Sequence, residues 1–297
     1  ECVMRRDGKR VKVESAEYAI VPHIMPQRND ALNMIEIDIP LKPIQDYLNS
    51  KRKQGINLSH LGVIVAAYAR ILGEYPMLNR FVVNKTIYAR NEFNVGMVVL
   101  KGGHMDNGTM SKVNFDPADT VFDIDRKMSD YIEANRSETG ENATDRLANI
   151  LIGIPGLLRL GVCVFKWMDK HGLLPRTIID ASPFHTSLTI SNLASIRTNS
   201  IFHHIYNFGT TGVFITMGVN REVARKDREG NVYFEKCIPF GVVMDERICS
   251  GSYFSQAFRT FRKYLSDPSL LETLPEDCKI IKEIAYRKDK YPVTKEQ

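Results

Sequence analysis

The chain has 297 residues, of which 43% are hydrophobic, and a formal net charge of +5, values that belong to a folded globular protein with ample core. Its basic residues are dispersed among acids rather than gathered into a stripe, so duplex or RNA binding is not indicated, whereas a phosphorylated small molecule suits the balance. Five widely separated cysteines (Cys2, Cys163, Cys237, Cys249, Cys278) with no Cys-x-x-Cys pair argue against a disulfide framework or structural zinc and point to a reducing cytoplasm.

Residues 1–17, which include Arg5-Arg-Asp-Gly-Lys-Arg-Val-Lys12, read as a loosely held polar arm, and no apolar run follows them as a signal peptide would require. Asn33–Ile39 alternates like a half-buried strand and Pro40 closes it. Pro43 sits at a first-turn position, and Ile44, Tyr47 and Leu48 have helical spacing, so a helix runs into the basic Lys51-Arg-Lys segment. Ser59 is placed to cap a second helix that reaches Leu72 and is apolar on most sides, hence buried. Strands are expected at Phe81–Val83, Ile87–Ala89 and Phe93–Leu100, then a wide turn over Gly102–Gly108. Asp119 or Thr120 starts an amphipathic helix through Ile124, Met128, Tyr131 and Ile132 that ends near Gly140.

Leu147–Trp167 is the most apolar stretch, but Gly153, Pro155, Arg159, Gly161 and Lys166 interrupt it. A spanning helix needs about 20 apolar residues with few charges. The stretch therefore reads as a helical insertion, about 145–175, that is buried or faces a partner, with a membrane-surface helix as the alternative. Strands follow at Ser187–Ser191, Val213–Met217, Val232–Glu235 and Ile238–Met244, and a helix at Ser252–Leu265 precedes Pro268. With no repeat and no Ser/Gly linker, residues 18–275 read as one α+β domain and 276–297 as a charged tail. There is no phosphate-loop or dinucleotide glycine fingerprint, and the His203-His204 pair has no third ligand in a metal-binding pattern.

The segment Asp245-Glu246-Arg247-Ile248-Cys249-Ser250-Gly251 resembles the Asp-His-Arg-x-x-Asp/Asn-Gly signature of the chloramphenicol acetyltransferase family and of the acyltransferase catalytic domain of 2-oxoacid dehydrogenase complexes. The resemblance runs from about Tyr18 to Leu270. It includes Tyr75-Pro-Met-Leu-Asn79, Asn94-Val-Gly-Met-Val-Val99, Thr189-Ile-Ser-Asn-Leu193 and Phe202-His-His-Ile-Tyr-Asn207. It implies a chloramphenicol acetyltransferase-like mixed sheet flanked by helices, a homotrimer with active sites between subunits, and coenzyme A or acyl-CoA as substrate with a small-molecule acyl acceptor. It implies no metal.

By the same resemblance, Ser191 falls where a hydroxyl stabilises the tetrahedral oxyanion. Glu246 stands where the family has its catalytic histidine, and Ser250 where the family has a residue that orders the loop. Asp245 and Arg247 are expected to brace the turn through charge-assisted bonds. An ordinary glutamate carboxylate near 4.3 lies roughly four units below a thiol near 8.5, so it is an uphill proton acceptor by about 6 kcal/mol unless its site raises it. Glu246 is thus either a base or a structural or binding replacement. His185 and His203 are the candidate replacement bases, each alternatively a structural histidine. Cys249, beside Ser250, reads as a small buried residue more readily than as a nucleophile.

Overall fold

The structure is a computed structural model that describes residues 5–274 apart from 14, 101–107, 117, 137–148 and 150–155. Its centre is a seven-stranded mixed sheet. The strand order is β2 (Leu32–Pro40), β10 (Val232–Asp245), β8 (Val213–Met217), β7 (Leu188–Asn192), β5 (Phe93–Leu100) and β6 (Gly108–Phe115), with β9 (Arg221–Lys226) beside the outer half of β10. The β5–β7 and β7–β8 pairs are parallel and the remaining pairs antiparallel. A smaller sheet holds β1 (Gly8–Arg10), β4 (Thr86–Arg90) and β3 (Arg80–Val83) in that order.

Period-two alternation decides which face is apolar. Ile37 and Ile39, Phe240 and Val242, Val213 and Ile215, Leu188 and Ile190, and Val95 and Met97 all join one core. That core is closed by α2 (Leu41–Lys53), α3 (His60–Glu74), α4 (Val121–Arg136) and α7 (Gly251–Ser266). Ser59 caps α3 as its position predicts, accepting from Gly62 N–H at 2.9 Å. At α4 the Thr120 N–H donates to Asp123 Oδ2 at 3.1 Å, and the Asp123 N–H faces Thr120 Oγ1 at 3.5 Å, a reciprocal cap. The expected end of α4 near Gly140 and the turn over 102–107 lie outside the described residues.

The opposite face of the sheet is crossed by residues 198–204. Thr216 ties them down, its Oγ1 accepting from Ile201 N–H at 3.1 Å and donating to Ile201 O at 2.5 Å. The approach is so close that a Cβ on Gly241 would lie 2.2 Å from Ile201 O, and one on Gly218 2.1 Å from Ser200 N. Only glycine fits either position.

Two expectations change. Residues 5–13 are anchored rather than loose, because β1 pairs with β4 and Arg5 and Asp7 are buried. Val232–Glu235 and Ile238–Met244 form one continuous strand, β10, held together by the charged partner β9 that alternation does not reveal. Of the readings open for the apolar insertion, burial within the chain does not describe α5 (Leu157–Lys170), its described half, where Leu160 is 62% exposed and Trp167 57%; an apolar helix facing a partner or a membrane surface agrees with that exposure. No helix among the described residues is long and apolar enough to cross a membrane.

Candidate active site

The signature turn follows the end of β10, where Asp245 is fully buried. Arg247 grips it in a two-pronged pair, Nε to Oδ1 at 2.8 Å and Nη2 to Oδ2 at 2.7 Å, while Arg28 Nε approaches Oδ2 at 3.3 Å. The remaining donors of the two guanidiniums go to main-chain carbonyls: Arg247 to Met25 and Pro26, Arg28 to Tyr206 and Gly209. This accounts for the bracing role expected of Asp245 and Arg247, and adds Arg28, whose distance of 217 positions from Asp245 hides it in the sequence. Burial lowers the Arg28 guanidinium, with Asp245 opposing the shift and the like charge of Arg247 adding to it.

Glu246 projects from this rigid turn. Its N–H donates to Ala31 O at 2.8 Å, and its half-buried side chain makes no hydrogen bond or ion pair among the described residues. Ser250 is the N-cap of α7, its Oγ facing Tyr253 N–H at 3.4 Å and Ser252 Oγ at 3.0 Å, while its own N–H donates to Tyr18 OH at 3.0 Å. Cys249 is completely buried, and burial pushes its thiol far above the usual range, which removes the thiolate a nucleophile needs.

Ser191 lies near the end of β7 on the face away from the helical core, half-buried and without a side-chain partner among the described residues. Register fixes its separation from Glu246. Ser191 pairs with Thr216, which pairs with Gly241, so the three share a row across the sheet. Glu246 lies five residues beyond Gly241, roughly 16 Å along the strand direction and about 10 Å across it. Direct proton exchange needs heavy atoms about 3 Å apart. One copy of the chain therefore does not bring Ser191 and Glu246 together.

The two histidines differ in access. His185 is completely buried, with Nδ1 2.7 Å from Ser182 Oγ and Nε2 3.3 Å from Asp169 Oδ1 but off the hydrogen-bond axis. Burial lowers it despite the pull of Asp169. His203 stacks on Phe214 at 4.3 Å between centroids and on His204 at 4.7 Å, with Nδ1 2.8 Å from His204 O. Phe214 pairs with Thr189, two residues before Ser191 and on the same face, so His203 shares the Ser191 face of the sheet. Among the described residues no group of three or more His, Cys, Asp or Glu side chains is arranged to hold a metal ion.

No protein-family profile matches the chain, and no curated protein sequence does. Solved structures do match. The cubic core of a pyruvate dehydrogenase multienzyme complex aligns with a TM-score of 0.57 over 89% of this chain and 94% of that one, at 12% identity. A chloramphenicol acetyltransferase aligns with a TM-score of 0.53 over 87% and 99%, at 11% identity. The chain has the chloramphenicol acetyltransferase-like fold. A dihydrolipoamide acetyltransferase of Azotobacter vinelandii, studied for the catalytic roles of a serine, a histidine and an asparagine, shares this fold at a TM-score of 0.57 and 12% identity, over 89% of this chain and 94% of that one. In the chloramphenicol acetyltransferase-like fold of this chain, the signature turn and Ser191 stand at two separate places on one sheet.

Proposed function

We propose that this protein transfers an acyl group from an acyl-CoA thioester to a small acceptor, at a site that Ser191 of one copy and Glu246 of a neighbouring copy complete together in a homotrimer. The observation that carries the proposal is the pairing of two half-buried, unpartnered polar groups, at signature positions, that a single chain holds far apart. The Azotobacter vinelandii enzyme supports the assignment, since its histidine and asparagine are four positions apart, the spacing of Glu246 and Ser250 here. An acyltransferase-like fold and the cubic core of a multienzyme complex among its structural neighbours support it further.

In this mechanism Glu246 takes the proton from the acceptor thiol, hydroxyl or amine as that atom attacks the thioester carbonyl carbon. The Ser191 hydroxyl donates to the tetrahedral oxyanion, the C–S bond breaks, and the proton on Glu246 passes to the departing coenzyme A thiolate. His203, on the Ser191 face, is the alternative base; the completely buried His185 is better suited to positioning Asp169. The free thiols of Cys237 and Cys249 suit a reducing cytoplasm.

A second reading, an inert scaffold or acyl-CoA-binding protein, is favoured by glutamate and serine standing where the family has histidine and Asp/Asn. Thiol release from acetyl-CoA and longer acyl-CoAs, measured with a panel of acceptors, separates the two. Turnover that Glu246→Gln or Ser191→Ala lowers about 100-fold or more supports the transferase. Saturable acyl-CoA binding with no turnover moves the assignment to the binding protein, and the absence of both moves it to the scaffold.

A further inference from the structure

The ionic network behind the signature turn contains more cations than anions. Arg5, Arg28, Arg90 and Arg247 are buried, and the buried carboxylates beside them are Asp7, Asp169 and Asp245. Asp245 serves both Arg28 and Arg247, while Arg5 takes Asp7 at 2.9 Å and Asp169 at 2.7 Å. Arg90 is left donating to Thr210 Oγ1 and Thr210 O. Burial, opposed by Asp7 and reinforced by the positive charges of Arg5 and Arg28, holds the Arg90 guanidinium down at about 10.

A cavity of about 350 Å³ opens onto this network between α5, the β3–β4 turn and the segments 26–28 and 207–209. Arg28 and Arg247 line it, and Asp169 is its lining carboxylate. Lys85, Lys166 and Lys170 also line it, all exposed and none ion-paired among the described residues. The Lys85 main chain sits in the tight β3–β4 turn, where Asn84 and Lys85 both adopt left-handed backbone with φ of 47° and 60°. Lys166 and Lys170 are one helical turn apart, a like-charge spacing that is unfavourable without an anion between or beside them.

We propose that this cavity binds the phosphate group of a small molecule, with Lys85, Lys166 and Lys170 contacting it and the Arg28 and Arg247 guanidiniums providing the positive floor. A phosphate fits better than a single carboxylate, because its larger charge and three oxygens match several converging cations. The volume is that of a small-ligand pocket. Neither Ser191 nor Glu246 lines the cavity, so its residues are distinct from those assigned to acyl transfer, and phosphate binding here can hold or fail independently of turnover.

The test is calorimetric titration of the purified protein with inorganic pyrophosphate, coenzyme A and dephospho-coenzyme A. It compares the wild type with the double variant Lys166→Gln, Lys170→Gln and with Lys85→Gln, with folding checked by circular dichroism. The proposal expects saturable binding that weakens with added salt and falls about tenfold or more in the double variant. If coenzyme A loses its advantage over dephospho-coenzyme A in the variants, the phosphate is its 3′-phosphate. If pyrophosphate binding alone depends on the lysines, the ligand is another phosphorylated molecule. Failure of all three to bind, or equal affinity in the wild type and folded variants, overturns the proposal.

Discussion

Replacing Asp245 with Asn keeps the volume of a side chain that is completely buried but deletes the charge that two guanidiniums share. Arg247 keeps at most one of its bonds at 2.8 and 2.7 Å, because the amide offers a single acceptor oxygen, and the NH2 group that replaces the other oxygen cannot accept from either guanidinium, so two like charges remain inside with that oxygen and main-chain carbonyls as their acceptors. Removing one member of a buried ion pair costs about 3–5 kcal/mol, because the other member cannot return to water. In a domain of this size each kcal/mol lowers Tm by about 2–4 °C, which gives a fall of about 10 °C by calorimetry and a matching shift in the denaturant midpoint. A companion variant, Arg28→Met with Asp245→Asn, removes one of the stranded cations and recovers part of the loss. A cost below about 1 kcal/mol for Asp245→Asn would refute the reasoning, since it would mean that the two arginines are not desolvated around this carboxylate.

Asp169 tests the network from the other side. Burial raises it, but contacts with His185 and Arg5 outweigh burial and hold it at about 2, below its ordinary 3.8. Its stabilising contribution is therefore complete above about pH 4 and is lost as pH falls toward 2, a swing of about 2 kcal/mol; urea midpoints from pH 5 to pH 3 should fall less steeply for Asp169→Asn than for the wild type, and equal slopes would contradict the assignment. Gly241→Ala must drive residues 198–204 off the sheet, so we expect a loss of about 2 kcal/mol or more in denaturant titrations, and a neutral result would mean that the strap does not sit 2.2 Å from that position. Ser250→Ala should cost about 1 kcal/mol of stability as a lost N-cap while Ser250→Asn stays near neutral, a pair of thermal melts that would come out equal if the cap were idle.

The sequence was most informative where chemistry is local. Ser59, the Ile44, Tyr47 and Leu48 spacing, and the Ser252–Leu265 helix each combine a cap or a period with neighbours a few residues away, and each stands in the structure within a residue or two of its expected place. The alternating residues of β7 and β8 likewise identified the core face. Elements set by distant partners were not legible. Arg221-Glu-Val-Ala-Arg-Lys226 has no apolar face and is a strand only because β10 pairs with it. Arg5 looked like part of a free arm, yet its partner Asp169 lies 164 positions away. Both positions of the candidate site could be read from motifs, Ser191 in Thr-Ile-Ser-Asn-Leu and Glu246 in the signature. Their separation across one sheet could not, because it follows from strand order and register.

Mixing two disabled chains tests the divided site most directly. Ser191→Ala and Glu246→Gln proteins would be unfolded together, refolded at equal ratio, and assayed for thiol release from the acyl-CoA that the wild type consumes. If each site in a homotrimer takes Ser191 from one copy and Glu246 from the next, random mixing rebuilds about a quarter of the sites, and roughly that fraction of wild-type activity returns. Mixed oligomers no more active than either parent, from a wild type that is active, would contradict a site shared between copies.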